Sequence, residues 1–336
     1  MAQQSRYDTL KQPTLTLFLT FAALLTMQTL RATRLPLASE YVGGSLSPVG
    51  EWLDGLMGPA GEVAAVTIGV LLSAVLITRI IGRYSLSVVR SFVPMALLVI
   101  CSYGVLYPIG SPSMVFAVAM IIHATDLMIM SFKRSERFGE VMRAALWTSL
   151  AALLVPDLVY LVALLPVQWF IWQRSPLEMI AALITLLAPL FIATCFYWFR
   201  GEEFGWFFDK WSGALSPIGI IAPEELYVEL GGILGATLCG IVVLMTLVSI
   251  GVFVGMQRGM RLRARKGHIY FSLLFLLGLV MLFVGIPSSI ALPIMGVASV
   301  PLIHTFFVRH KGLVSVLIYI IMVALVALSA LLPLYL

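Results

Sequence analysis

The stretch ALLVPDLVYLVALLPVQWFIWQR, Ala152 to Arg174, decides the topology of the chain. It is almost wholly apolar, yet Pro156 and Asp157 interrupt it. Read as one kinked membrane helix, it crosses once. Read as two short helices folded back at a charged tip, it crosses twice, and every later segment changes side. The surroundings are equally apolar: of 336 residues, 61% are hydrophobic and 11% are charged. Soluble domains lie near about 45–50% and about 25%. Runs of roughly 18 or more uncharged residues mark bilayer-spanning helices. The expected fold is therefore all-α, a polytopic transmembrane bundle forming one integral membrane domain over 1–336. The polar start MAQQSRYDTLKQP and the absence of a small-residue cleavage site make 14–30 a retained first helix rather than a signal peptide.

Apolar runs predict further helices at 62–78, 92–109, 113–132, 144–155, 158–173, 179–199, 231–256, 269–285, 289–308 and 313–335. That makes eleven spans with a short-helix hairpin near 144–173, and ten without it. Lys and Arg concentrate in cytoplasmic loops, so charge arbitrates. With a cytoplasmic N-terminus and the hairpin, 17 of the 21 basic residues face inward, all but Arg31, Arg34, Arg200 and Lys210. Eleven of the 16 acids face outward: Glu40, Glu51, Asp54, Glu62, Asp157, Glu202, Glu203, Asp209, Glu224, Glu225 and Glu229. A single helix would instead turn QRGMRLRARKGH, residues 257–268, outward with its five basic residues. The hairpin is the predicted arrangement. An arm of 12 residues spans only about 18 Å, against a hydrocarbon core of about 30 Å. The arms are expected to stop partway and leave Asp157 in an outward recess.

Two long connections face outward on this topology. They are 31–61, RATRLPLASEYVGGSLSPVGEWLDGLMGPAG, and 200–230, RGEEFGWFFDKWSGALSPIGIIAPEELYVEL. Both mix acids with aromatic and aliphatic residues, as interfacial helices do. Ser47-Pro48 and Ser216-Pro217 each read as a helix start, with Ser as N-cap and Pro at the first position. Two uses fit these segments: roofing an outward cavity with carboxylates presented to a substrate or metal, or anchoring at the interface.

Ionisable groups inside the spans are few, and such groups are costly there. His123 and Asp126 stand three apart on one helix face, and Asp126 also lies near Lys133 and Arg134. His304, near Arg309 and His310, reads as capping or interfacial. Arg31 and Arg34 can grip a phosphate or pair with Glu40 or Glu51. The basic run 257–268 reads as a topology determinant or an anionic-lipid patch. Cys101, Cys195 and Cys239 lie in apolar runs and read as buried thiols. No Walker A loop, GxSxG, HExxH, Rossmann fingerprint or paired metal-ligand spacing is present. No metal site is assigned, and no nucleic-acid partner is expected.

The stretch Ala144–Trp198, AALWTSLAALLVPDLVYLVALLPVQWFIWQRSPLEMIAALITLLAPLFIATCFYW, resembles a recurring segment of the polytopic GT-C glycosyltransferases. The features shared are the small-residue helix at Ser149–Leu154, the Pro156-Asp157 break, Leu164-Leu165-Pro166, the basic turn at Arg174 and Pro189. The whole chain also resembles a family of multi-pass inner-membrane proteins of Bacteroidetes with no assigned activity. The GT-C resemblance implies sugar transfer from a polyprenyl-phosphate donor at the outer face of the bacterial inner membrane. It implies a carboxylate of the first outer loop as base or as ligand of a divalent metal. Glu40, Glu51 and Asp54 are the carboxylates of that loop, and the family's usual adjacent acidic pair is absent. Arg31, Arg34 and Asp157 are the candidate substrate-binding residues. The alternatives are a non-enzymatic membrane subunit of a cell-envelope assembly, with an envelope protein partner, and a lipid or small-solute transporter. Membrane lipids are partners under each reading.

Overall fold

The computed structural model describes residues 21–23, 26, 46–87, 92–103, 111–132, 138–230, 232–310 and 313–335. Arg31, Arg34 and Glu40, with most of the helix expected at 14–30, lie outside the described residues. Among the described residues every regular element is helical. The helices are α1 (Pro48–Gly55), α2 (Pro59–Arg83), α3 (Val93–Leu98, continued by a π-helical turn Val99–Tyr103), α4 (Pro112–Ser131) and α5 (Phe138–Leu154). A 3-10 helix, Pro156–Leu164, leads into α6 (Leu165–Trp172). Then follow α7 (Pro176–Phe199), α8 (Trp206–Gly213), α9 (Pro223–Glu229), α10 (Gly232–Met256), α11 (Leu262–Phe283), α12 (Ser288–Arg309) and α13 (Leu313–Tyr335). Six of these helices are long and apolar enough to cross a membrane: α2, α4, α7, α10, α11 and α12. The chain is an α-helical, multi-pass membrane protein.

Local sequence explains where the helices begin. Proline stands in the first turn of α1, α2, α4, α7 and α9, where its missing N–H has no partner to lose. Ser47, Ser111 and Ser175 cap α1, α4 and α7 by accepting backbone N–H groups. The expected cap at Ser216 does not form. Residues 216–222 run without helix, because Asp157 takes both the N–H and the hydroxyl of Ser216. Gly219 and Ile221 then donate to Val284 and Phe283 at the end of α11. A second correction concerns 257–268, read as a loop: α11 already begins at Leu262, so Arg263, Arg265 and Lys266 lie on its first turns.

The opening stretch folds back. At its start, Leu153 and Leu154 contact Ser47 of the first long connection, and Asp157 contacts Ser216 of the second. At its end, the Ile171 carbonyl accepts from Lys266 at 2.5 Å. Trp172 packs edge-on against Phe132 at the close of α4. The two ends of 156–172 thus stand at opposite ends of the bundle. The second arm runs further than its residue count suggests, because of its helix type. Nine residues of 3-10 helix rise about 18 Å, and the eight of α6 add about 12 Å. The sum, about 30 Å, exceeds the roughly 26 Å that 17 residues of α-helix would span. Leu158, Leu161 and Leu164 recur every third residue and are all buried, as a helix with three residues per turn requires. Pro166 falls in the first turn of α6, where an α-helix tolerates it.

The core is organised around α12, which is buried from Ser288 to Phe307. Small residues let its neighbours approach closely, the usual device where lipid supplies no hydrophobic drive between helices. A Cβ added at Gly296 would stand 2.3 Å from Ser102 Oγ and 2.7 Å from the Cys101 carbonyl carbon. One added at Gly278 of α11 would stand 3.0 Å from the Met295 nitrogen. Gly240 of α10, by contrast, faces open space. Gly296→Val is expected to lower stability by about 1–3 kcal/mol through overpacking. Gly240→Ala, with open space for the methyl, should leave stability unchanged or raise it by up to about 1 kcal/mol. Thermal unfolding of the two variants in the same detergent measures the difference.

Candidate functional site

Pro156 has no N–H, so the helix α5 cannot continue its hydrogen-bond ladder and its last carbonyls lose their partners. The long connections supply donors instead. Trp211 Nε1 of α8 donates to Ala152 O at 2.8 Å. The Ser47 hydroxyl donates to Leu153 O, and the Ser47 N–H donates to Leu154 O at 3.3 Å. Gly50 permits the approach, since a Cβ there would stand 2.6 Å from Leu154 O. Both long connections therefore close over one end of the bundle. That end carries Glu51, Asp54, Asp157 and Glu229, and we call it the acidic end.

Three carboxylates of the acidic end make the same kind of bond. Asp54 Oδ1 accepts the Ser113 N–H at 3.0 Å and its hydroxyl at 2.7 Å. Asp157 accepts the Ser216 N–H at 2.7 Å and its hydroxyl at 2.6 Å. Glu229 Oε2 accepts the Ser288 N–H at 3.0 Å, while the Ser288 hydroxyl reaches the Glu229 carbonyl at 3.2 Å. Each serine lies 59 residues after its acid. For Asp54 and Glu229 the interval is one pass down the bundle, a turn and one pass back; for Asp157 it also takes in α8, and Ser216 opens the irregular segment 216–222. Each clamp ties the start of a descending segment to the start of a later element. For Asp54 and Glu229 that element is a helix N-terminus, where a carboxylate also complements the helix dipole.

The remaining expected residues stand apart from these clamps. Glu51 is exposed on α1. His123 makes an edge contact with Trp147 and no hydrogen bond with Asp126. Asp126 is buried at the opposite, basic end, where Tyr84 donates to its Oδ1 at 2.6 Å and Arg83 lies 3.4 Å from its Oδ2. Lys133 and Arg134, the partners considered for it, lie outside the described residues. Burial above all, then the bond to Asp126, holds the Tyr84 phenol far above its ordinary pKa, so it remains a donor. Arg83 and Arg263 both lie over the Tyr84 ring, at 5.6 and 6.0 Å. His304 is not interfacial, as expected, but wholly buried within α12. Among the described residues no group of three or more His, Cys, Asp or Glu is placed to hold a metal ion.

A cavity does open at the acidic end, though not at Asp157. It is a groove of about 490 Å³ between α1, α5 and α7, lined by Trp52, Leu146, Leu153, Ile192, Phe196 and Arg200 among others. Its walls are almost wholly apolar, and Arg200 is its charged member. The sequence reading missed it, because its lining comes from three separated segments. Arg200 itself carried a signal, being one of four basic residues on the side where acids gather. No family model, curated protein or solved structure matches the chain.

The Asp157 clamp has a measurable weight. Asp157→Ala is expected to destabilise the protein by about 1–3 kcal/mol, since it strands a half-buried N–H and a hydroxyl. Ser216→Ala should cost less, because the backbone N–H still reaches Asp157. A double-mutant cycle read by unfolding in detergent should return a coupling of at least about 0.5 kcal/mol. Additive effects would contradict the clamp.

Proposed function

We propose that this chain is an eleven-span protein of the bacterial inner membrane, with a cytoplasmic N-terminus, that handles a lipid-linked sugar at its outer face. The observation that carries the reading is the convergence of both long connections on the C-terminal end of α5. This convergence builds a covered, acid-bearing surface at one end, while the basic residues of Arg83, Arg263 and Lys266 gather at the other. That polarity supports an outward acidic end by the positive-inside rule. The resemblance to GT-C glycosyltransferases supplies the chemistry of the proposal: a polyprenyl-phosphate sugar as donor and a first-loop carboxylate as base or divalent-metal ligand. Asp54 serves the start of α4 through both of its bonds to Ser113. Glu51, exposed on α1 beside the groove residue Trp52, is the better placed carboxylate of the described part of the loop. Glu40, Arg31 and Arg34 complete the proposed set.

A second reading is a non-enzymatic membrane subunit of an envelope assembly. The three clamps favour it, because they commit Asp54, Asp157 and Glu229 to joining helices. The transporter reading has less support. The central helix α12 is buried from Ser288 to Phe307, and the cavity beside Thr125 and Tyr270 is only about 40 Å³.

Two measurements separate these readings. Single cysteines placed by Glu51→Cys and Glu224→Cys should react with an impermeant maleimide on intact cells, and Arg261→Cys should react only after permeabilisation. Labelling of Arg261→Cys from outside would overturn the topology. For the activity, Glu51→Ala or Glu40→Ala should change the surface glycans as deletion of the chain does. Unchanged glycans in the deletion strain would exclude transfer. A stoichiometric protein partner recovered in mild detergent would then favour the subunit.

A further inference from the structure

We infer that the groove between α1, α5 and α7 holds one acyl chain of an anionic glycerophospholipid, with the headgroup phosphate on Arg200. The inference is independent of any transfer chemistry. Four observations carry it. The groove is large, and its about 490 Å³ falls within the range of about 300–1,000 Å³ typical of small-molecule sites. It opens sideways: Trp52, Ile192 and Phe196, all lining it, are 60%, 65% and 56% exposed. In a membrane protein that side meets acyl chains, not water. Its walls, including Leu150 and Leu153, offer an apolar chain mostly carbon to touch.

The fourth observation is charge. Arg200 follows the last residue of α7, at the end of the groove, with its guanidinium over the Phe196 ring at 5.8 Å. Among the described residues it makes no ion pair. Glu202 and Glu203 follow it in sequence and are exposed without bonding to it. A guanidinium can chelate two phosphate oxygens, and the ring of Trp52 belongs at headgroup depth. The two neighbouring acids work against capture of a free anion. A phospholipid overcomes them because its chain is buried at the same time. The occupant is thus one that carries a chain and a phosphate together.

The test uses the full-length protein in mild detergent. It is titrated with phosphatidylglycerol or phosphatidylcholine of the same acyl chains, and bound lipids are counted by native mass spectrometry. One phosphatidylglycerol per chain should be retained about fivefold better than phosphatidylcholine, the weight of one basic residue facing an anionic lipid. Arg200→Gln should bring that ratio to about one, and Arg200→Lys should restore most of it. Ile192→Asp, at an exposed position of the groove wall, should reduce retention of both lipids. Equal retention by the wild type, a preference that survives Arg200→Gln, or retention untouched by Ile192→Asp each overturns the inference. A polyprenyl phosphate serves as a further probe. Its retention where phosphatidylglycerol is not retained would also overturn the inference, yet would strengthen the proposed lipid-linked substrate. Absence of any glycan change on deletion would sink that function and leave the phospholipid site standing.

Discussion

The break at Pro156 leaves three successive carbonyls, of Ala152, Leu153 and Leu154, without partners inside their own helix. Covered by the two connections, such groups cannot turn to water. Their donors come from Trp211 and from the N–H and hydroxyl of Ser47. One proline thus recruits both long connections to the same end of the bundle. The placement of α1 and α8 answers this demand, and α1 so placed forms one wall of the groove. Asp157, the next residue, adds the bond to Ser216 that holds the second connection in place and denies it a helix start.

The return pass solves a length problem. Seventeen residues between Pro156 and Trp172 would span only about 26 Å as α-helix, yet they join the two ends of the bundle. The 3-10 segment stretches the rise to about 2 Å per residue and closes the gap. Long 3-10 runs are uncommon because their hydrogen bonds are poorer. Here the run is supported at its start by the Asp157 clamp and along its length by three buried leucines. At its far end Trp172 is locked between Phe132 and Tyr270.

The clamps and the groove divide the acidic end into two kinds of surface. Where carboxylates meet serines, the polar groups are satisfied and join elements far apart in sequence. Where α1, α5 and α7 diverge they leave an apolar groove, and Arg200 faces it without a counter-charge among the described residues. A residue type therefore says little by itself. Asp54 and Glu51 share one short helix, yet one is occupied by Ser113 and the other is exposed.

Much of this was legible before any coordinates. Apolar runs determine an α-helical membrane bundle, because backbone groups in lipid must bond within their own segment. The distribution of Lys and Arg against Asp and Glu already demanded a fold-back at Pro156-Asp157, and the contacts at the two ends of 156–172 agree with it. The Ser47 cap was readable from Ser-Pro, a local rule that local bonds satisfy. Ser216 carries the same dipeptide and obeys a different partner, Asp157, which lies 59 residues away in the chain. The leucine period of three at 158, 161 and 164 was present in the sequence, but only packing against the core shows that it selects a 3-10 helix. The clamps at Asp54 and Glu229, the close approach at Gly296 and the groove at Arg200 needed the tertiary structure. Each joins segments whose distance apart in space no local pattern records.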